Sequence, residues 1–335
     1  MPKPRPKFFS LLVFFGILLI LSGCSKKSII ISRLTDKFRV IGYLPGRQNL
    51  IASANSVSFD KITHLYVAFI NPDSLGNLTG IQDLKNVADL AHSRGVKIMA
   101  SIGGGGAPNY YPTFLTGEKK TKLIADLVKL AVDNNLDGID VDLEGALITS
   151  SYESFVTELS TALKAKNKMI TAAIATVYKD QFTDKALSQF DFVNIMSYDK
   201  TGPWNLSKSG PHAPYEMAVK DLEYWTKTRG IAKEKLSLGV PFYGYGFGGT
   251  TPESISWKNI LLQYPNADQT DELSVNGGKI YYNGIPTIRK KTTLALEKAG
   301  GIMIWQLLQD TGRTTVPPSQ SLLENINEVI KSEKK

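Results

Sequence analysis

The sequence predicts a closed (β/α)8 barrel, an α/β fold built by a single domain. From residue 38 onward, eight short apolar runs typical of buried strands alternate with longer amphipathic runs typical of helices. Strands that are apolar on both faces and alternate with helices indicate a parallel sheet covered on both sides. Eight such units are the number that closes a barrel. An open, doubly wound parallel sheet is the alternative architecture.

The predicted elements follow one another in a regular order. The strand candidates are Phe38–Tyr43, Ile62–Phe69, Val96–Ile102, Gly138–Glu144, Met169–Ala175, Phe190–Tyr198, Leu236–Tyr243 and Gly301–Leu307. The helical runs are Asp83–Arg94, Lys119–Asn134, Tyr152–Lys166, Tyr215–Arg229, Pro286–Lys298 and Ser319–Lys331. Gly95 and Gly230 directly follow two of these runs, and glycine is the residue that most often ends a helix.

The first 24 residues have the pattern of a targeting segment. A basic start precedes the apolar run from Phe8 to Leu21, which is too short to span a bilayer comfortably and matches a signal-peptide core. The run ends in Leu21-Ser-Gly-Cys24, which resembles a bacterial lipobox, and Cys24 is the only cysteine of the chain. We therefore expect a signal peptide over residues 1–24, a tether over 25–36 and the (β/α)8 domain over 37–335.

The lipobox resemblance implies an exported bacterial lipoprotein. Acyl chains on Cys24 would anchor the mature protein to a membrane, at the periplasmic side or at the cell surface. An ordinary signal peptide with an incidental cysteine is the alternative.

The charge pattern does not indicate a nucleic-acid partner. The formal net charge is +8, but the lysines are scattered, and no dense basic run or basic motif interleaved with aromatic residues is present. A solvated basic surface explains this pattern better than nucleic-acid binding. We expect a monomer that needs no cofactor.

The fourth predicted strand carries a row of acids. Asp140, Asp142 and Glu144 recur with a period of two, and branched apolar residues fill the gaps. Alternate side chains of a strand share a face, so the three carboxyl groups point the same way. Burying them together is costly because each disfavours the ionisation of the others. The row predicts a general-acid site with Glu144 nearest the end of the strand, whereas Asp137, which precedes the strand, has a structural role.

Within this row, we expect the inner acids to share a proton. Asp142 would then hydrogen-bond Glu144 and keep the pKa of Glu144 high enough for it to act as an acid.

A calcium loop is the competing interpretation of the acidic row. Asp140, Asp142, Glu144 and Gly145 imitate the start of such a loop, but the closing position holds Ser151 instead of a glutamate, and a buried strand cannot wrap an ion. The chain has three histidines and none lies near the row. We therefore expect no metal site.

The barrel prediction also says where the remaining site residues should lie. Catalytic groups of such barrels lie at the C-terminal ends of the strands. Polar or aromatic residues end most of the predicted strands, namely Tyr43, Phe69, Ser101, Glu144, Tyr198–Asp199, Tyr243 and Trp305. We expect them to converge on one mouth.

These motifs together resemble family 18 of the glycoside hydrolases, the chitinases and their relatives. The acidic row, Asp137-Gly-Ile-Asp-Val-Asp-Leu-Glu144, matches the signature of that family. The other matching landmarks are Gly42-Tyr43, Ala68-Phe69, Ser101-Ile-Gly-Gly104, Met196-Ser-Tyr-Asp199, Gly239-Val-Pro-Phe-Tyr-Gly244 and Gly301-Ile-Met-Ile-Trp305. The resemblance spans roughly residues 38–330.

The resemblance implies a mechanism in which the N-acetyl oxygen of the substrate is the nucleophile, so that no second catalytic carboxylate is needed. Glu144 would protonate the leaving oxygen, and Asp142 would orient the acetamido group. Tyr198 would hydrogen-bond the acetamido oxygen, Asp199 would contact the sugar, and Trp305 would stack on the sugar ring.

The resemblance also implies supporting contacts. Tyr43 and Ser101 would hold Asp140 in place and satisfy a buried acid. Substrate-binding roles are expected for Tyr43, Phe69, Ser101, Met196, Asp199, Tyr243 and Trp305.

Two features differ from the family pattern. Tyr245 stands where many chitinases have an arginine after the Tyr-Gly of the seventh strand, so contacts beyond the cleavage point are open. The connection from Gly244 to Gly301 must also supply a helix, which leaves little room for the inserted α+β lobe that deepens the cleft in many processive chitinases. We expect a shallow, open groove.

The expected activity is endo-acting hydrolysis of β-1,4-linked N-acetylglucosamine polymers, chitin or its oligosaccharides. Hydrolysis of the chitobiose core of N-glycans uses the same catalysis and is the first alternative. A non-catalytic chitin-binding lectin is an alternative of another class, although lectins of this family usually lack the acid. A purely structural lipoprotein would have no reason to keep the buried acids.

Overall fold

The computed structural model describes residues 1–2, 38–46, 49–311 and 317–333. Its strands, in chain order, are β1 (Arg39–Pro45), β2 (His64–Ala68), β3 (Lys97–Gly103), β4 (Gly138–Asp142), β5 (Met169–Ile174), β6 (Phe192–Ile195), β7 (Leu236–Pro241), β8 (Tyr243–Phe247), β9 (Ser254–Ser256), β10 (Glu272–Val275), β11 (Gly278–Tyr281) and β12 (Gly301–Trp305). Strands β1–β7 and β12 form a closed barrel in the order β1-β12-β7-β6-β5-β4-β3-β2, and all of its pairs are parallel. The predicted (β/α)8 barrel is confirmed, and the open sheet is excluded.

Helices lie between the barrel strands, as the amphipathic runs predict. Those of the described chain are α1 (Leu50–Asn55), α2 (Leu84–Ser93), α3 (Gly117–Asp133), α4 (Tyr152–Lys164), α5 (Asp184–Gln189), α6 (Tyr215–Glu223), α7 (Trp257–Gln263), α8 (Ile285–Lys298) and α9 (Leu322–Ser332). The six predicted helices are all present, and a π-helical turn, Tyr224–Thr228, extends α6. Gly95 and Gly230 have φ angles of 71° and 65°, a left-handed conformation that glycine adopts without strain at a helix end.

The alternation along β4 divides its side chains between two layers. Ile139 and Val141 are fully buried in the apolar layer between the barrel and its helices, and each such side chain stabilises the fold by about 1.5–3 kcal/mol. Asp140 and Asp142 point into the barrel instead. The register pairs Asp140 with Ser101 on β3 and with Thr171 on β5, so the neighbouring strands offer hydroxyl groups to the buried acid.

The connection between β7 and β12 contains a small antiparallel sheet that the sequence analysis did not foresee. Strands β8–β11 form it in the order β10-β11-β8-β9, and α7 lies between β9 and β10. The short strands and their glycine-rich turn, Asn276–Gly278, are too brief to produce a clear alternating pattern. The predicted seventh strand therefore ends at Pro241, and Tyr243 begins a strand of the small sheet. The connection thus carries a small α+β insertion, for which the sequence analysis left little room.

The predicted signal peptide, tether and lipidated Cys24 lie outside the described residues, apart from the first two positions. Within the described ranges, no helix combines the length and the apolar character that a membrane crossing requires.

Candidate active site

A cavity of about 670 Å³ opens at the C-terminal ends of the barrel strands, where the fold predicts the catalytic groups. Three carboxyl groups line it, those of Asp142, Glu144 and Asp199. Its aromatic lining includes Phe69, Tyr198 and Trp305.

Asp140 lies beneath the cavity and is held by three hydroxyl groups. Its Oδ2 accepts hydrogen bonds from Tyr43 Oη and Ser101 Oγ, both at 2.7 Å. Its Oδ1 accepts one from Thr171 Oγ1 at 2.6 Å. Burial raises the pKa of Asp140, while the three hydrogen bonds act in the opposite direction. Three donors facing both oxygens favour the ionised form of this acid.

Asp142 has a different environment. Within the described residues, its Oδ1 is buried without a hydrogen-bond partner. Burial, followed by the charges of Glu144 and Asp140, raises the pKa of Asp142 well above its usual range. Of the two inner acids, Asp142 therefore has the surroundings that oppose ionisation more strongly.

The expected hydrogen bond between Asp142 and Glu144 is not formed in the structure. Side chains two residues apart on a strand start about 6.6–7 Å from each other, and Asp142 is too short to close that gap unaided. An acidic row on one face brings the charges near enough to couple without bringing the atoms into contact.

Glu144 lies just beyond the end of β4, at the wall of the cavity. Burial raises its pKa to about 7, with the charge of Asp199 as the second cause. A Cβ atom on Gly105 would lie 3.4 Å from Glu144 Oε1, so the glycine-rich turn after β3 passes directly beside the acid. Glu144 is therefore an acid that carries its proton near neutral pH and faces open space.

The aromatic groups form the rest of the site. Tyr198 Oη has one hydrogen-bond partner in the described chain, Met303 Sδ at 3.8 Å, which is a weak acceptor. The Trp305 ring stacks on Phe69 at 5.5 Å and meets Tyr43 edge-on at 5.4 Å. These contacts fix the indole at the cavity wall while one face of the site remains apolar.

Asp199 is positioned by the loop after β6. Its φ angle is 60°, an uncommon backbone conformation for a residue with a side chain. Tyr243 Oη donates to Asp199 Oδ1 at 2.6 Å. His212 Nδ1 lies 3.5 Å from the same oxygen.

The predicted site residues thus fall into two layers. The cavity is lined by Phe69, Asp142, Glu144, Met196, Tyr198, Asp199 and Trp305. Tyr43, Ser101 and Tyr243 were expected to bind substrate but do not line it. The structure places each of them behind a carboxylate, in contact with Asp140 or Asp199.

Several residues of the site were not singled out from the sequence. Thr171 has the inward parity of its strand and was detectable in principle. Asn71 also lines the cavity, donates from Nδ2 to the Gly103 carbonyl at 2.9 Å and accepts from the Gly103 amide at 2.7 Å. Gln306 and Gln309 line the cavity beyond Trp305. The partner of Asn71 comes from another strand end, which no local pattern shows. Gln306 and Gln309 are held locally instead, since the Leu308 amide donates to Gln306 Oε1 at 2.7 Å and the Gln306 amide donates to Gln309 Oε1 at 3.3 Å.

Asp137 has the structural role expected of it. Its Oδ2 accepts from the Ile98 amide at 2.8 Å and lies 2.9 Å from His92 Nε2. Among the described residues, no group of three or more His, Cys, Asp or Glu side chains has the arrangement of a metal site.

The sequence matches the model of the glycosyl hydrolases family 18 over residues 39–310, a range that contains the whole barrel and every cavity residue named above. The chain belongs to glycoside hydrolase family 18.

Two solved structures illustrate the family resemblance. The family 18 chitinase ChiB of Flavobacterium johnsoniae is 38% identical, with a TM-score of 0.79 over 88% of this chain and 94% of that chain. A chitinase from Bacteroides thetaiotaomicron is 27% identical, with a TM-score of 0.77 over 88% and 96% of the two chains.

A curated relative extends this family 18 comparison. A chitinase-like effector of Moniliophthora roreri is 31% identical over 274 residues, which is 71% of this chain and 66% of that relative. The chain thus spans about two thirds of the length of this relative. Family membership and these relatives support a glycoside hydrolase.

Proposed function

We propose that the protein is an endo-acting chitinase that cleaves β-1,4-linked N-acetylglucosamine polymers by a retaining, substrate-assisted mechanism. One observation carries the proposal. Glu144, with a pKa of about 7, shares its cavity with two polar groups that lack strong partners in the described chain, Asp142 Oδ1 and Tyr198 Oη. Buried polar groups are normally satisfied, so these two are arranged for a ligand. An acetamido group, with one N–H and one carbonyl oxygen, matches such a pair.

In the first step, Glu144 gives its proton to the glycosidic oxygen, and the bond from that oxygen to the anomeric carbon breaks. The acetamido oxygen attacks the anomeric carbon and forms a cyclic oxazolinium ion. Asp142 accepts a hydrogen bond from the acetamido N–H through its unpartnered Oδ1, and Tyr198 holds the acetamido oxygen in line. The oriented intramolecular nucleophile supplies much of the rate enhancement, because no second molecule has to be brought into position.

In the second step, Glu144 acts as the general base. Water gives a proton to Glu144 and attacks the anomeric carbon from the face that the leaving group vacated. The oxazolinium ring opens and restores the acetamido group. Two inversions at the same carbon leave the product in the β configuration.

A protein nucleophile fits the cavity less well. A retaining enzyme of that type needs its second carboxylate about 5–5.5 Å from the acid and across the sugar. Asp142 is the last residue of β4 and precedes Glu144 by only two positions, so it approaches the sugar from the same side. Asp199 is engaged by Tyr243 at 2.6 Å. The substrate is therefore the better source of the nucleophile.

The choice of chitin as substrate has support from the relatives. The Flavobacterium johnsoniae protein is described as a chitinase from a chitin utilization locus. Trp305, braced by Phe69, supplies the flat apolar surface on which a sugar ring stacks. The resemblance to a chitinase-like effector would favour the lectin alternative only if this chain had lost the catalytic acid. It has not, because Glu144 is present.

Product analysis tests the proposal. The purified protein is incubated with chitin hexasaccharide and, separately, with an N-glycosylated protein, and Glu158→Gln serves as a control because Glu158 is an exposed partner of Lys120. We expect shorter chitin oligosaccharides from the wild type and the control. Glu144→Gln should lose about 10²–10⁴-fold in rate and still bind the hexasaccharide. Release of the N-glycan without chitin cleavage would replace chitin by the chitobiose core, and binding without any cleavage would support a lectin.

We also propose that the protein is a lipoprotein anchored through Cys24. The lipobox resemblance supports this, and a barrel without another cysteine leaves the lipid attachment to that residue alone. Cys24→Ser should leave the membrane fraction or accumulate as an unprocessed precursor. Equal solubility of the wild type and Cys24→Ser would identify an ordinary signal peptide instead.

A further inference from the structure

The turn after β3 is bare backbone where it passes Glu144. It runs through four consecutive glycines, Gly103–Gly106, and the last two are exposed at the wall of the cavity. A Cβ atom on Gly105 would lie 3.4 Å from Glu144 Oε1, and one on Gly106 would meet no other part of the described chain within 4 Å. The space beside the acid is therefore open along two successive residues.

The first two glycines of this turn are required by the fold. Gly103 and Gly104 have φ angles of 95° and 83°, which residues with a side chain rarely adopt. A Cβ atom on Gly103 would lie 2.1 Å from the Asp142 carbonyl oxygen, and one on Gly104 would lie 2.2 Å from the Phe69 ring. Both positions thus have a structural reason to lack a side chain.

Gly105 and Gly106 have no such reason. The Ala107 amide donates to the Gly104 carbonyl at 2.9 Å, which closes a β-turn with Gly105 and Gly106 as its two central residues. Neither of them has a positive φ, so the turn is not one of the types that need glycine, and most residue types fit both positions. The missing side chains therefore serve the open space beside Glu144 and not the backbone.

This open space lies on the side of the leaving group. The register pairs Gly103 with Asp142, and the Gly104 amide donates to the Asp142 carbonyl at 2.7 Å. From there the turn runs outward until Gly105 is level with Glu144. The acetamido group binds at the depth of Asp142, whereas the oxygen that Glu144 protonates, and the sugar that leaves with it, lie at the depth of Glu144 or beyond.

The opening is a fixed feature of the wall. Asn71 holds Gly103 through both ends of its side-chain amide, at 2.9 and 2.7 Å. The turn is closed on its other side by the hydrogen bond from Ala107 to Gly104. Because the backbone is tied at both ends, it cannot collapse into the space that the absent side chains leave.

We propose that Gly105 and Gly106 are specificity-determining residues that allow the leaving sugar to carry a bulky substituent, such as a second sugar on one of its hydroxyl groups. A side chain at either position would reject such a substituent by a steric clash. The inference rests on the function proposed above, and it extends the substrate class to N-acetylglucosamine chains with branched units.

A pair of matched substrates tests the inference. One is the plain chitin trisaccharide, and the other carries a glucosyl group on the primary hydroxyl of its reducing-end sugar. Mass spectrometry identifies the cut that releases this sugar, and kcat/KM is compared for that cut alone. We expect the wild-type protein to cleave both substrates with similar kcat/KM.

Gly106→Leu should separate the two substrates. It should keep kcat/KM for the plain trisaccharide and lose about tenfold or more for the substituted one. Asn109→Leu is the matched control, because it adds the same side chain at an exposed position of the same loop that does not line the cavity. Gly106→Ala is the milder variant and should show a smaller loss in the same direction. Melting temperatures confirm that the variants are folded.

Three results would overturn the inference in distinguishable ways. If the wild type cleaves the plain trisaccharide and rejects the substituted one, the inference fails and the proposed function stands. An equal preference of Gly106→Leu and Asn109→Leu for the two substrates would show that Gly106 does not set the limit. If the wild type cleaves neither trisaccharide nor the chitin hexasaccharide, the proposed function fails and the inference fails with it.

Discussion

Asp140 and Asp142 are separated by one residue on β4 and share a face, yet their surroundings act differently on their ionisation. Three hydroxyl donors converge on Asp140, and none reaches Asp142 Oδ1 from the described chain. Hydrogen bonds therefore oppose the effect of burial on the pKa of Asp140, whereas none opposes it on Asp142. Glu144, one layer further out, is an acid because burial and Asp199 oppose its ionisation.

Tyr198 allows the acetamido contact to be tested at a single atom. Tyr198→Phe removes a hydroxyl group whose present partner is a thioether at 3.8 Å, so the melting temperature should not change. If Tyr198 donates to the acetamido oxygen in the transition state, the loss should be about 2.7–4 kcal/mol, the scale of an oxyanion donor, which is about 10²–10³-fold in kcat. Tyr110→Phe, which removes a hydroxyl group near the surface, is the matched control. Equal turnover in both variants would exclude Tyr198 from the reaction.

The residue types of the site could be read from the sequence, but their partners could not. Period-two acids on one strand establish which side chains point inward and which acid is outermost. They do not reveal that Thr171 supplies the third donor to Asp140, or that His212 faces Asp199. Such contacts join residues 13 to 97 positions apart, and their geometry exists only once the barrel has closed.

At the scale of elements, the turns after β2 and β3 are tied together by one side chain. Asn71 uses both ends of its amide on the backbone of Gly103. Gly103 itself has a φ of 95° and packs so closely on the Asp142 carbonyl that a Cβ atom would clash with it. The turn that passes beside Glu144 therefore depends on Asn71 for its position.

Asn71→Ala should loosen this turn. Two hydrogen bonds to Gly103 disappear, and the cost to the free energy of unfolding should be about 1–3 kcal/mol, measured by urea denaturation. The Michaelis constant for chitin oligosaccharides should rise because the cavity wall becomes mobile. Asn86→Ala on the exposed face of α2, where the side chain makes one long contact to Asp83, should leave both quantities unchanged. An equally small effect of both variants would mean that the turn holds its place without Asn71.

The elements themselves were predicted unevenly for a physical reason. Barrel strands buried on both faces produce continuous apolar runs, and their helices produce a 3.6-residue period, so both were visible. The small sheet of β8–β11 rests on strands of three to five residues with mixed exposure. Their pairing is decided by contacts with one another, which a local pattern does not contain.

At the scale of the whole molecule, ionisation of Glu144 lowers the free energy of unfolding as the pH rises. The pKa of Glu144 is about 7 in the fold against 4.5 for an unperturbed glutamate, so the native state binds the proton more tightly than the unfolded chain. Stability is then greatest below pH 4.5 and falls as the pH rises towards 7.

Glu144→Gln should abolish this part of the pH dependence. Between pH 5 and pH 8, the wild type should lose up to about 3 kcal/mol of unfolding free energy relative to Glu144→Gln. Urea denaturation at the two pH values measures it, with Glu158→Gln as the control that behaves like the wild type. Parallel pH curves for the wild type and Glu144→Gln would contradict the raised pKa.

The central claim is that the substrate supplies its own nucleophile to a cavity built around Glu144, Asp142 and Tyr198. The most direct measurement is proton NMR of the first products released from chitin hexasaccharide, recorded before the anomers equilibrate, beside a fully deacetylated hexamer. The account predicts a β anomer from the acetylated substrate and no cleavage of the deacetylated one. An initial α anomer, or cleavage that proceeds without the acetamido group, would contradict it.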